Sequence, residues 1–305
     1  MNKHRFILGV LIILFCWDAS GENNKIFING NIHTFDQELS VVEAIFIRDG
    51  YIQKVGKQED ILKSADDGTE IIDLEGKMLM PAFHDAHAHP IWNGMDQYQC
   101  EVFGLMDLEQ IQDKIRSCLE GDYAKSTGWV IGAGLNAALF PAANPRKNLF
   151  DEVSKEIPIY IEISDGHNAL VNSKALELAN ITKQTPNPDK GIIERDPITG
   201  EPSGTLREPS AMNLVVNVAP KESDELHRNG LRYAQGLANS YGITSMIDTA
   251  VNEKYLESFN HLAERDELNL RIIGCIEYGR EHYVQEFSGF EDLYKRRSMF
   301  EHERI

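Results

Sequence analysis

Two histidines one residue apart, His87 and His89, close the segment LMPAFHDAHAHP at residues 79–90. An apolar run enters this segment, so it reads as a strand, and side chains on a strand alternate between faces. His87 and His89 therefore share one face while Ala88 takes the other. Asp85, two positions before His87, shares the histidine face, and Pro90 ends the strand. Two imidazoles on one face at the end of an apolar strand make half of a metal site. A divalent ion held there would lower the pKa of a bound water and polarise a carbonyl. His84 lies three positions before His87 and so faces the other way, which sets it aside as a ligand. His33, in an early strand, reads as a structural or surface histidine.

Further polar candidates lie downstream. His167 sits in the turn Asp165-Gly166-His167-Asn168, where it is placed to touch substrate at the mouth of a site. The alternative is that Asp165 and Asn168 merely cap the helix that follows. Asp248 closes a later strand, ITSMIDT, and reads as a cap for the helix starting at Asn252.

The elements that must carry these residues follow from periodicity. Residues 25–56 read as short strands with a hairpin at Asp49-Gly50, and residues 70–80 as another strand pair around Glu75-Gly76. Together they suggest a small β-sandwich. Leu108, Ile111, Ile115 and Leu119 recur at helical spacing behind an Asp107 cap. Residues 129–135 and 157–164 are buried-strand candidates, and a helix follows, capped near Asn172 or Ser173. Residues 183–210 carry five prolines and read as a long loop. A helix over residues 223–241 is expected to place Leu226, Tyr233, Leu237 and Tyr241 on one face, with Gly242 as its stop. Strand 243–249, helix 252–268 and strand 270–278 complete a strand–helix rhythm of the kind that builds a parallel sheet or a (β/α) barrel. The last 25 residues read as charged and helical.

Composition narrows the partners. The chain has 305 residues, 42% of them hydrophobic and 26% charged, enough for a substantial core. A net charge of −18 argues against a nucleic-acid partner, because phosphate binding needs a basic footprint. Lys3, His4 and Arg5 precede an apolar run over residues 6–17 and small residues at Ala19-Ser20-Gly21, a signal-peptide pattern over residues 1–21. The run is shorter than the ~20 residues that span a bilayer. The expected location is therefore the secretory lumen or the exterior, and the Asn180-Ile181-Thr182 sequon agrees. Cys100, Cys118 and Cys275 would remain after cleavage, so at most one disulfide forms and one thiol is left over.

The residues also resemble a family. MPAFHDAHAHP is similar to the first-strand signature of the amidohydrolase superfamily, which a small β-sandwich usually precedes. DGHNALVNSKALELANIT and TPNPDKGIIERDPITGEPSGTLRE resemble amidohydrolase family 3, the YtcJ-like metal-dependent hydrolases. The likeness runs over roughly residues 25–280. It implies a fold of the α/β class: an incomplete (β/α) TIM-like barrel with a small N-terminal β-sandwich and a large α+β insertion after the first barrel strand. The implied domains are 22–78 for the sandwich and 79–305 for the barrel portion, with the insertion at about 95–235. The implied function is hydrolysis of carbon–nitrogen bonds other than peptide bonds in amide-like small molecules, by metal-activated water. The implied cofactor is a divalent metal, zinc by preference, on His87 and His89, with Glu208 of GTLRE matching a family glutamate that could approach it. Glu208 is otherwise an ordinary surface charge in a proline-rich loop. In the family the remaining ligands and an acid/base aspartate come from later strands, which here would lie beyond Ile305. The alternative is therefore a non-catalytic, truncated amidohydrolase-like protein.

Overall fold

Asp49 and Gly50 both adopt positive φ, 50° and 79°, the pair of left-handed residues that a tight hairpin needs. They turn the chain between the antiparallel strands Ala44–Arg48 and Tyr51–Gly56. The computed structural model describes residues 24–276, 297–300 and 302–305. The expected signal peptide and most of the expected C-terminal helix lie outside the described residues. The chain divides into two compact units, Met1–Ala82 and Phe83–Ile305.

The first unit holds two sheets. One has the order Tyr51–Gly56, Ala44–Arg48, Lys25–Ile28, Glu70–Asp73; the other has Val41–Val42, Asn31–His33, Met78–Leu79. The strand pair expected around Glu75-Gly76 is not a hairpin. Glu70–Asp73 and Met78–Leu79 go to different sheets, each pairing in parallel with an earlier strand. Ile26, Ala44, Phe46 and Ile61 form the apolar centre.

The second unit is built on three parallel strands in the order Arg271–Ile276, Ile243–Val251, Phe83–Ala88. Along the chain between Phe83–Ala88 and Ile243–Val251, residues 100–207 supply a separate six-stranded mixed sheet. Its order is Ile192–Arg195, Pro202–Arg207, Asn168–Val171, Ile159–Ile163, Val130–Leu135, Cys100–Glu101. Asp107 caps the helix Leu108–Leu119 by accepting from the amides of Glu109 and Gln110. A disulfide joins Cys100, on the edge strand, to Cys118 near the end of that helix, and Cys275 is left as an exposed thiol. No helix among the described residues is long and apolar enough to cross a membrane.

One expectation fails in this unit. Residues 183–210 are not one loop: they hold the antiparallel hairpin Ile192–Arg195 and Pro202–Arg207, with Pro202 at the first strand position, where a missing N–H is tolerated. The helix Asp224–Ser240 buries Leu226, His227, Gly230, Leu231, Gln235 and Ala238, whereas Tyr233, Leu237 and Tyr241 stay exposed. The cause is backbone contact. Gly230 packs against Gly94 of the helix Pro90–Met95, so closely that a Cβ on Gly94 would lie 2.1 Å from the Gly230 carbonyl oxygen. That contact fixes which face of the helix turns inward.

Candidate functional site

The strand Phe83–Ala88 stops one residue before His89, which leaves the extended region (φ −135°, ψ 71°) and caps the helix Pro90–Met95. Proline at the first helical position has no N–H to leave unpaired, so the strand passes directly into the helix. Asp85 accepts a hydrogen bond from the backbone N–H of His87 at 3.0 Å, which steadies the strand end. The two imidazoles converge as alternation predicts: their ring centroids are 5.3 Å apart with planes at 88°. His84, as expected, is engaged elsewhere, with Nδ1 hydrogen-bonded to the Ser245 hydroxyl on the neighbouring strand.

Asp248 does not cap a helix, because Asn252 caps its own helix by accepting from the amide of Tyr255. Asp248 is buried (1% exposed), and its Oδ1 lies 3.3 Å from Nδ1 of His89. It also accepts from the amide of Ala250 at 3.2 Å. With Nδ1–H donated to a carboxylate, the neutral imidazole of His89 keeps its lone pair on Nε2, the arrangement that supports a metal-ligating histidine. The spacing of the rings fits one cation shared by two imidazoles at ~2.1 Å per nitrogen. Among the described residues no group of three or more His, Cys, Asp or Glu side chains is placed to hold a metal. His87 and His89 thus fit a divalent ion as a partial donor set. A cavity of about 330 Å³ opens beside them, lined in part by Asn93, Tyr233, Leu237 and Tyr241.

His167 and Glu208 are brought together, but not into the histidine pair. Nδ1 of His167 lies 3.4 Å from Oε2 of Glu208, and the His167 carbonyl accepts from the Glu208 amide at 2.7 Å. Glu208 does not lie in a loop. It opens the helix Glu208–Val216, with a left-handed φ of 66° that is unusual for a side chain of its size. Asp165 and Asn168 do not cap a helix either: a strand, Asn168–Val171, follows them, and Asn172 is the cap of the helix Ser173–Leu178. Asp165 instead ties the turn, accepting from the His167 amide at 2.9 Å and the Asn168 side chain at 2.6 Å.

Sequence reasoning missed Asp248 as a partner of His89, and it missed Trp92. The Trp92 ring stands 5.6 Å from the His89 ring. A signal existed, because Trp92 stands three residues after His89, the spacing from N-cap to N3 at which side chains at a helix start meet.

A second polar group gathers within the same unit. Burial, and then the carboxylates of Glu101 and Glu222, push Asp96 up to about 7. Burial also pushes Glu162 up to about 7, with Asp96, Glu222 and Asp165 adding to the rise against a hydrogen bond from the Tyr160 hydroxyl. Glu222 pairs with Nε2 of the buried His227 at 2.9 Å.

Known proteins share both the sequence and the fold. The sequence profile of the amidohydrolase family matches residues 70–302. The protein LONG AFTER FAR-RED 3 of Arabidopsis thaliana is 33% identical over 220 residues, 72% of this chain and 37% of that protein. An N-substituted formamide deformylase of Arthrobacter pascens is 31% identical over 242 residues, 76% of this chain and 43% of that protein. The chain spans about half the length of the curated relatives it matches. A crystal structure of a metal-dependent hydrolase from Pyrococcus furiosus covers 92% of this chain and 54% of its own, at a TM-score of 0.64 and 23% identity, which is a likeness of fold.

Proposed function

The chain belongs to the amidohydrolase family, and on that premise we propose that it is a metal-dependent hydrolase of carbon–nitrogen bonds other than peptide bonds in small, amide-like molecules. In this reading His87 and His89 are metal ligands, Glu208 is the candidate for a further ligand, and His167 is the candidate substrate contact. The three parallel strands are part of a (β/α) barrel that carries an insertion at about residues 95–235, preceded by a β-sandwich. The chain enters the secretory pathway behind the segment 1–21.

One observation carries the reading: two imidazoles 5.3 Å apart at a strand end, one of them oriented through Nδ1 by a buried carboxylate. A divalent ion, zinc by preference, supplies a bound water of lowered pKa and a polarised carbonyl when present. The chain's own part is positional. Asp248 holds the His89 ring, Asp85 steadies the His87 backbone, and a cavity of about 330 Å³ beside them is of a size for a small molecule. The Arthrobacter relative's name makes an N-substituted formamide the first substrate to try.

The test is metal content and formate release together. The purified chain should carry zinc by elemental analysis, lose it in the His87→Ala/His89→Ala double variant, and release formate from an N-substituted formamide. Unchanged metal content in the double variant sinks the reading. The second reading is a non-catalytic amidohydrolase-like protein that binds a ligand or partner. Metal binding that depends on both histidines, without formate release, selects it.

A further inference from the structure

We infer that Trp92 is a positioning residue of this site, which orients the ring of His89 and at the same time seats the turn that carries His167. The inference rests on the reading of His87 and His89 as metal ligands. Trp92 lies in the first turn of the helix Pro90–Met95, which His89 caps. Its ring is tilted by 54° against the His89 imidazole at 5.6 Å between centroids, close enough to restrict rotation of that ring. Asp248 constrains the same imidazole through Nδ1. His89 is thus held by one polar and one aromatic neighbour.

The far end of the indole touches the other half of the site. Cη2 of Trp92 lies 3.6 Å from the point that a Cβ on Gly166 would occupy, and Gly166 has φ +70°. The indole therefore stands over the tip of the turn, at the distance where a side chain on Gly166 would touch it. That turn is a tied unit. The Gly166 amide donates to the Ile163 carbonyl at 2.9 Å, and Asp165 accepts from the amide of His167. The His167 carbonyl and ring both engage Glu208. A shift of the indole would reach His89 directly and His167 through two residues of constrained backbone.

Core packing does not account for Trp92. It is half-buried and is absent from all four apolar clusters among the described residues, whereas Trp129 belongs to one of them. Its ring stands instead against both halves of the candidate site.

The experiment is a Co²⁺ titration of the full chain, followed by ligand-field absorption, together with imidazole ¹H–¹⁵N correlation spectra recorded without metal. Trp92→Ala should weaken Co²⁺ binding roughly tenfold, within the range expected when a partner that orients a ligand is lost. It should also move the signals of both His89 and His167. Trp92→Phe, which keeps an aromatic ring, should restore most of the affinity and both signals. Should Trp92→Ala fail to fold, Trp92→Leu takes its place, filling volume without a ring, and should give the same weakening and the same moved signals. Wild-type Co²⁺ affinity in the ring-less variant, or a His167 signal that stays in place, overturns the inference. The parent reading fails separately, if His87→Ala/His89→Ala still binds Co²⁺ as wild type does.

Discussion

Oδ1 of Asp248, on the strand Ile243–Val251, and Nδ1 of His89, just past the end of the neighbouring parallel strand, meet at 3.3 Å, with the carboxylate buried and the imidazole one quarter exposed. The arrangement commits His89 to one tautomer. Asp248→Asn keeps the shape but offers an amide where the carboxylate accepted a proton. The variant should bind Zn²⁺ or Co²⁺ about 10–100-fold more weakly while its thermal transition stays close to wild type. Calorimetric titration against each metal checks this, and equal affinity would show that Asp248 does not orient the ring.

The helix that His89 caps has its own sensitive point. Gly94 and Gly230 let two helix backbones touch, and a Cβ on Gly94 would fall 2.1 Å from a carbonyl oxygen that cannot yield as a side chain could. Gly94→Ala should therefore destabilise by roughly 3 kcal/mol, at the upper end of overpacking effects. Gly236, on the same long helix as Gly230, faces open space. Gly236→Ala should stabilise by about 0.5–1 kcal/mol through helix propensity alone. Urea unfolding of the two variants side by side separates helix contact from propensity.

How far the sequence could be read depends on which interactions set each element. The histidine pair, the Asp49-Gly50 hairpin and the Asp107 cap were legible because each rests on residues a few positions apart. Asp248 was not, because the strand pairing shifts register between Met246 and Asp248. A bulge of this kind re-aims side chains, so simple alternation could not assign Asp248 to the side of His89. The helix Asp224–Ser240 was placed well in sequence, but its buried face was decided by a glycine contact more than a hundred residues away. In residues 183–210 the prolines read as loop, yet Pro202 opens a strand of the hairpin and Pro209 sits in the first turn of the helix Glu208–Val216. His167 and Glu208 were singled out separately, and only the fold shows that they pair.

The disulfide should matter for the six-stranded sheet. Cys100 and Cys118 are 18 residues apart, and closing a loop of about that length is worth roughly 3 kcal/mol in the chain-entropy account. Cys118→Ser, or reduction of the wild-type chain with a small thiol, should lower the unfolding midpoint accordingly. Reduction should also raise the thiol count by two, read by a thiol reagent under denaturing conditions.

Asp96 and Glu162 give the stability of the chain a direction with pH. Both titrate at about 7 in the folded state, burial being the main cause for each, whereas an unfolded carboxyl titrates near 4. Between these values the folded state holds more protons than the unfolded one, so stability falls as pH rises. Below about pH 4 both states are protonated and the contribution is fully present; above about 7 it is lost. A tenfold difference in proton affinity between the folded and unfolded chain is worth about 1.4 kcal/mol, so the loss across this window is large enough to measure. Asp96 faces Glu101 and Glu222, and Glu162 faces Asp165 and Glu222 as well as Asp96, so ionising either one makes the other harder to ionise. The expected result is a midpoint of thermal unfolding several degrees higher at pH 5.5 than at pH 8. Asp96→Asn and Glu162→Gln should each raise the midpoint at pH 8 and flatten the profile. A wild-type profile that rises toward pH 8 would mean that these carboxyls are ionised in the folded chain.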